Sequence, residues 1–175
     1  MALYAFEEKR PSIDPEAFVH PDAVLIGEVT VGRKCFIGAG AVLRGDFGKI
    51  TVGDGSNVQE NCVIHVSPGQ ETRIEEDVIM AHGAILHDAT IKRGALVGMG
   101  AVVLQGAVVG EGVLVAALAL VPAGFVVPAR KIVAGNPARI KGDVPETHEE
   151  FLKAGLAIYQ ELPERYGKGL RKIDL

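Results

Sequence analysis

The run from Ile91 to Val133 reads IKRGALVGMGAVVLQGAVVGEGVLVAALALVPAGFVVPARKIV, and an aliphatic residue falls at every sixth position. Ile91, Val97, Val103, Val109, Val115, Val121, Val127 and Val133 form one unbroken series. Small side chains stand four residues after several of them, as at Ala95, Ala101, Ala107 and Ala119. A helix repeats every 3.6 residues and a strand every two, so neither explains this spacing. A hexapeptide repeat marks a β-helix, in which each repeat supplies one short strand and a turn. In the left-handed form three repeats, about 18 residues, close one triangular coil. The aliphatic side chain points inward, and glycine permits the tight corner.

The same step runs back toward the N-terminus through Leu43, Ile37, Val31, Leu25, Val19 and Ile13. Its small partners are Ala17, Ala23, Val29, Cys35 and Ala41, until Phe47 breaks the pattern. The phase slips by three residues before Val52, Val58 and Ile64, and by four before Ile74, Met80 and Leu86. The expected fold is therefore all-β: a left-handed parallel β-helix of about seven triangular coils, with a C-terminal α-helix packed on it. At a strand spacing of ~4.8 Å the prism is roughly 30 to 35 Å tall. The expected divisions are a lead-in at 1–12, the β-helix at 13–140, and a C-terminal helix and tail at 141–175.

The pattern stops after Pro137. Thr147 and Glu150 have the spacing of a capping box. Phe151, Leu152, Gly155, Leu156, Tyr159 and Leu162 then follow at helical spacing. The spacing predicts a helix from about His148 to Leu162, with its apolar side on the prism. Leu114, Leu118 and Leu120 fall on outward positions, which predicts a surface covered by that helix or by another subunit.

Composition narrows the function classes. Hydrophobic residues make up 48% of the 175, so the chain is not disordered. Aromatics are 5% and Trp is absent, which suits a thin regular core of small and β-branched side chains. The net charge is −4 and no Lys/Arg run tracks a phosphate backbone, so nucleic acid is not an expected partner. Residues 1–10 lack a basic start followed by an apolar core, so no secretory signal is expected there. Gly112 to Ala129 is long and apolar enough to suggest a membrane span, but Pro122, Gly124 and Pro128 interrupt it and the six-residue period crosses it. No membrane association is expected. Two cysteines, Cys35 and Cys62, do not make a disulfide scaffold, and a reduced, cytoplasmic setting follows. Counted in register they sit at different corners, so no internal disulfide is expected.

The coil length also places the histidines. His65 follows inward Ile64, and His87 follows inward Leu86. They are 22 residues apart, and four of those belong to the out-of-phase loop near Pro68, which leaves one coil of 18. His65 and His87 should therefore stack at about the ~4.8 Å strand spacing. The same count puts Arg44 in that column, with Asp46 two residues on and able to pair with an arginine. His82 lies five residues before His87, near a neighbouring corner of the same coil. For three imidazoles to hold one ion, His82 must come from another copy of the chain. Three imidazoles with one open position suit catalytic Zn²⁺, and Fe²⁺ or Co²⁺ would also suit. His20 and His148 lie off this column.

In these features the chain resembles the γ-class carbonic anhydrase family. The residues that carry the resemblance are Arg44-Gly45-Asp46, Asn57-Val58-Gln59-Glu60-Asn61, His65, and His82 with His87. Leu96 to Ala101 and Gly135-Asn136-Pro137-Ala138 add to it. Within the family it looks most like bacterial accessory proteins of phenylacetate and carnitine metabolism. The resemblance implies a homotrimer with zinc or iron shared between subunits, His65 and His87 from one and His82 from the next. It implies reversible hydration of CO₂ to bicarbonate by a metal-bound hydroxide, a lyase activity. It also implies an Arg44–Asp46 ion pair at the seam. Gln59 would orient the hydroxide or hold substrate with Glu60 close by, and Tyr159 would reach toward the site. The chain departs from active members where they carry loop glutamates: Phe47 follows Asp46, and the loop after His65 holds no acid before Glu71. Slow hydration is the implication. The alternatives are a metal-dependent acyl-CoA thioesterase, a hexapeptide acyltransferase, and a non-catalytic metal-binding trimer.

Overall fold

A computed structural model describes residues 2–173, with the side chains of His148 and Glu149 left aside. The chain winds as a left-handed parallel β-helix with three faces. One face carries Val63–His65, Ile85–His87, Val102–Val103 and Leu120–Val121, the next carries Glu71–Ile74, Thr90–Ile91, Val108–Val109 and Val126–Val127. The long strands Val24–Val31 and Val42–Val52 bend around the corner between these two faces. The third face stacks seven strands, from Phe18–Val19 to Lys131–Ala134, and so counts seven coils.

Every inward position of the six-residue series from Leu25 to Val133 is buried. The small corner residues, among them Ala23, Cys35, Ala41, Cys62, Ala84 and Ala101, are buried beside them. Corners are too tight for long side chains, and close backbone approach explains several glycines. A Cβ at Gly98 would lie 2.6 Å from the Ala117 nitrogen in the next coil. Phe47 leaves the repeat and is exposed, because the corner there bulges outward with the slipped phase. Both ends depart from the repeat. Ala2–Tyr4 adds a parallel strand beside residues 24–26, and Arg139–Asp143 turns back antiparallel on Lys131–Ala134.

The C-terminal helix, α1 (Glu146–Gly169), differs from its expectation at both ends. Its cap is Pro145, with φ −66° and ψ 150°, and no side chain caps it. Thr147 therefore lies inside the first turn rather than capping it. The extended backbone that a cap needs is already taken by Pro145, whose ring fixes φ. The helix also continues through Pro163 instead of stopping at Leu162. Proline removes one amide donor, but packing beyond it offsets that cost. Tyr166 sets its ring 5.2 Å from both Phe18 and Phe36, and Tyr159 sits 6.0 Å from Phe36. Gln160 ties the helix to the prism through the Gly55 carbonyl and Asp77.

The helix does not cover the outward leucines together. Leu114 lies on the helix-bearing face and is half-buried, while Leu118 is 77% exposed at a corner. Gly112 to Ala129 forms three β-helix strands, and among the described residues no helix is long and apolar enough to cross a membrane.

Both cysteines are free and buried. Cys35 Sγ donates to the Gly53 carbonyl at 3.1 Å and Cys62 Sγ to that of Ala81 at 3.2 Å. Burial pushes the Cys35 thiol up to about 12 and the Cys62 thiol up to about 11. Thiolate is the reactive form. Neither thiol should therefore react with an aromatic disulfide reagent in the native protein at about pH 8, where an ordinary thiol does. Both should react once the chain is unfolded. Rapid native labelling would contradict this burial.

Candidate functional site

The predicted site residues gather at two corners of the prism, on either side of one face. At the first corner, adjacent coils pair Arg44 with His65 and His65 with His87. Each histidine follows an inward aliphatic, so its side chain leaves the core where the chain turns. The two imidazoles meet at 4.9 Å between ring centroids, with His65 Nδ1 3.0 Å from His87 Nε2.

Carboxylates stand behind both rings. Asp46 Oδ1 is 3.4 Å from His65 Nε2, and Asp88 Oδ2 is 3.2 Å from His87 Nδ1. Both of these outer nitrogens are buried and lack a well-directed hydrogen bond. Arg44 donates from Nη1 to Asp46 Oδ2 at 2.6 Å, so the expected ion pair forms within a single chain. Burial alone would raise the Asp46 carboxyl, but the Arg44 hydrogen bond and charge outweigh it and hold it below the ordinary carboxylate value. Burial, with the charges of Arg44 and His87, lowers His65 against the opposing pull of Asp46. That shift favours the neutral form of His65, which can donate a lone pair.

The hydrogens make this corner unusual. Each outer nitrogen faces a carboxylate, which favours an N–H there. A neutral imidazole has one N–H only. With hydrogen on both outer nitrogens, the two inner nitrogens would present lone pairs to each other across 3.0 Å. A cation between them removes that repulsion. Tetrahedral zinc with Zn–N of ~2.0–2.1 Å holds its nitrogens about 3.3 Å apart. The pair thus fits two ligands of one ion, with Asp46 and Asp88 as their orienting partners.

The second corner follows the helix-bearing face. Glu60 Oε2 accepts from His82 Nδ1 at 2.6 Å, one coil apart. Gln59 is buried, and its amide donates to Asn57 Oδ1 at 2.9 Å. The Asn57 Nδ2 is buried with no partner. Tyr159 rises against its ordinary value through burial first, then the charges of Glu60 and Tyr166, which places it in the field of Glu60. Gln59, Glu60, His82 and Tyr159 therefore belong together, apart from Arg44, Asp46, His65 and His87. Among the described residues, no three His, Cys, Asp or Glu side chains within the chain are arranged to hold a metal.

Between the corners runs a face whose outward side chains are Val42, Val63, Ile85, Val102 and Leu120. Ile85 is 41% exposed, and exposed Met99 and Leu118 border the stripe. A separate groove of about 450 Å³ lies under the start of α1, lined by Ile79, Leu96, Leu152, Leu156, Arg93 and Lys153 among others. It touches neither corner.

Sequence reasoning missed Asp88 and its partner Ser67, whose amide donates to Asp88 Oδ1 at 2.6 Å. The available signal was an acid directly after a column histidine, at a corner turn that glycine fills in the next two coils.

The pattern of the Bacterial transferase hexapeptide (six repeats) family matches residues 10–45. The chain is 44% identical to the carnitine operon protein CaiE of Citrobacter koseri over 94% of this chain and 84% of that one. A hexapeptide transferase family protein from Anaplasma phagocytophilum superposes with a TM-score of 0.90 at 36% identity, over 94% of this chain and 98% of its own. A Bacillus cereus protein described as a candidate acetyltransferase superposes with a TM-score of 0.93 at 34% identity, over 94% and 96% of the two chains.

Proposed function

The chain belongs to the hexapeptide-repeat family that includes the carnitine operon protein CaiE, and from that premise we propose that it is a trimeric metalloprotein of γ-carbonic-anhydrase type that hydrates CO₂. One observation carries the proposal. His65 Nδ1 and His87 Nε2 face each other at 3.0 Å while Asp46 and Asp88 stand behind them. His82 waits at the opposite edge of an exposed apolar face.

Exposed apolar surface of this extent and continuity favours a partner. Closing three copies around a three-fold axis with this face buried brings the His82 corner of each to the His65–His87 corner of the next. His65, His87 and the neighbour's copy of His82 would hold the ion, zinc or another divalent metal. A bound divalent ion supplies Lewis acidity and lowers the pKa of its water to ~7.

The chain's own residues do the rest. Glu60 engages His82 Nδ1 and so leaves Nε2 for the ion. Asp46 holds the Arg44 guanidinium beside His65, where its positive charge attracts an anionic product such as bicarbonate. Gln59, fixed by Asn57, and Tyr159 line the lent half of the site. The loops beside His65 offer no unengaged carboxylate to carry the proton away. Phe47 occupies the corner beside His65, and Glu71 is engaged by Thr51 and Arg73. Hydration is therefore expected to accelerate with the concentration of an external buffer such as imidazole.

Stopped-flow CO₂ hydration between about pH 7 and 9, on protein with measured metal content, tests the proposal. A rate above buffer that scales with metal content supports it. Full occupancy without hydration at any buffer concentration overturns it. The transferase descriptions of the structural neighbours favour one rival, action on an acyl-CoA. Metal-independent turnover of an acyl-CoA panel, unaffected by H87A, would favour that reading instead.

A further inference from the structure

Asp88 turns the corner after His87 with φ +50°. Glycine is the usual occupant of this left-handed geometry and Asp or Asn an occasional one, and Asn61 and Asp77 adopt it at other corners of this chain. The next two coils place Gly106 and Gly124 at the same corner, also at positive φ. The Gly106 amide donates to the Asp88 carbonyl, which confirms the stacking. The fold therefore requires no side chain in this slot, and an aspartate there bears a backbone cost that glycine avoids.

That aspartate is also well engaged. Its side chain is only 10% exposed. Oδ1 accepts the Ser67 amide at 2.6 Å, which ties it to the corner one coil below. Oδ2 lies 3.2 Å from His87 Nδ1, a buried nitrogen that has no well-directed hydrogen bond among the described residues and for which Asp88 is the carboxylate at hand. With one oxygen anchored by the backbone, the other is held against the ring.

We propose that Asp88 is a positioning residue for His87: anchored by the Ser67 amide, it selects the imidazole tautomer with hydrogen on Nδ1 and so presents the Nε2 lone pair toward His65. The purpose of this selection rests on the metal reading above, but the geometry does not. A carboxylate behind a ligand histidine fixes its orientation and raises its basicity, and removing such a partner costs 10- to 100-fold in metal affinity.

Two variants separate this role from a merely structural one. D88G removes the carboxylate while relaxing the backbone, so relief of the left-handed geometry offsets part of the lost Ser67 tie and the chain should still fold. D88N keeps the shape. If its carbonyl keeps the Ser67 bond, its amide nitrogen faces His87 Nδ1 and favours the opposite tautomer. The first readout is the ¹⁵N shifts of His87 in the chelator-treated full chain at about pH 8, above the ordinary histidine range. The wild type should show Nδ1–H, D88N mainly Nε2–H, and D88G a mixture. The second is zinc affinity by competition with a chromophoric chelator, expected to fall about 10- to 100-fold in both variants. Unchanged tautomer in both variants overturns the proposal and leaves Asp88 as a loop tie. A wild type that binds no zinc overturns the metal reading instead, and the tautomer comparison still decides the role of Asp88.

Discussion

His87→Ala is expected to remove bound metal and CO₂ hydration together while leaving the β-helix folded. His87 lies at a corner, outside the core, and its ring contacts His65 rather than the buried aliphatics. Its removal therefore leaves no cavity among the inward side chains. Four-ligand structural zinc sites gain about 10–16 kcal/mol, or about 2.5–4 kcal/mol per ligand. Loss of one ligand thus lowers affinity by about 10² to 10³. Metal content after gel filtration should fall from near one per chain to a small fraction, with far-ultraviolet circular dichroism unchanged. His20→Ala is the control, since the His20 ring contacts Asp22 and Phe18 and lies off the Arg44, His65 and His87 column. If the H87A protein keeps full metal and full hydration, the assignment of this corner fails.

Ile85→Glu carries the second large effect. Ile85 points outward at the centre of the apolar face, one residue before inward Leu86 and two before His87. In a monomer the new carboxylate is solvated, so the fold should persist. In a trimer closed over this face it would lose water without a partner, at a cost of several kcal/mol per chain. Sedimentation velocity should show a monomer where the wild type is a trimer. Metal content should fall as well, although no ligand has been touched, because His82 then comes from no neighbour. Binding and assembly are linked, so either loss weakens the other. An I85E protein that stays trimeric and metal-loaded would place the interface elsewhere and break the shared-site proposal.

The two corners also explain how far sequence could reach. Register along a β-helix is set by counting, because each coil consumes a nearly constant number of residues. Once the slips before Val52 and Ile74 are recognised, the column Arg44, His65 and His87 follows from numbering alone. The helix ends did not yield to the same reasoning. Pro145 and Pro163 are local signals, but their outcome was decided by what surrounds them: the extended backbone before Glu146, and the rings of Phe18 and Phe36 waiting for Tyr166. Asp88 was not legible because its corner slot elsewhere holds Asn61, Asp77 and Arg130 as well as glycine, so an acid there reads as ordinary turn chemistry.

The sequence by itself determined the coil, the inward aliphatic stack, and the histidine column, because all three depend on a period that every repeat obeys. Only the tertiary structure decided which carboxylate meets which ring. Asp46 behind His65, Asp88 behind His87 and Glu60 on His82 are contacts between side chains on different coils or around a tight corner, and they depend on rotamers and ångström-scale distances. The structure likewise divided the predicted site residues between two corners, with an exposed apolar face between them. A six-residue period states which residues leave the core. It carries no information on how their ends converge, and that convergence is where the chemistry of this chain resides.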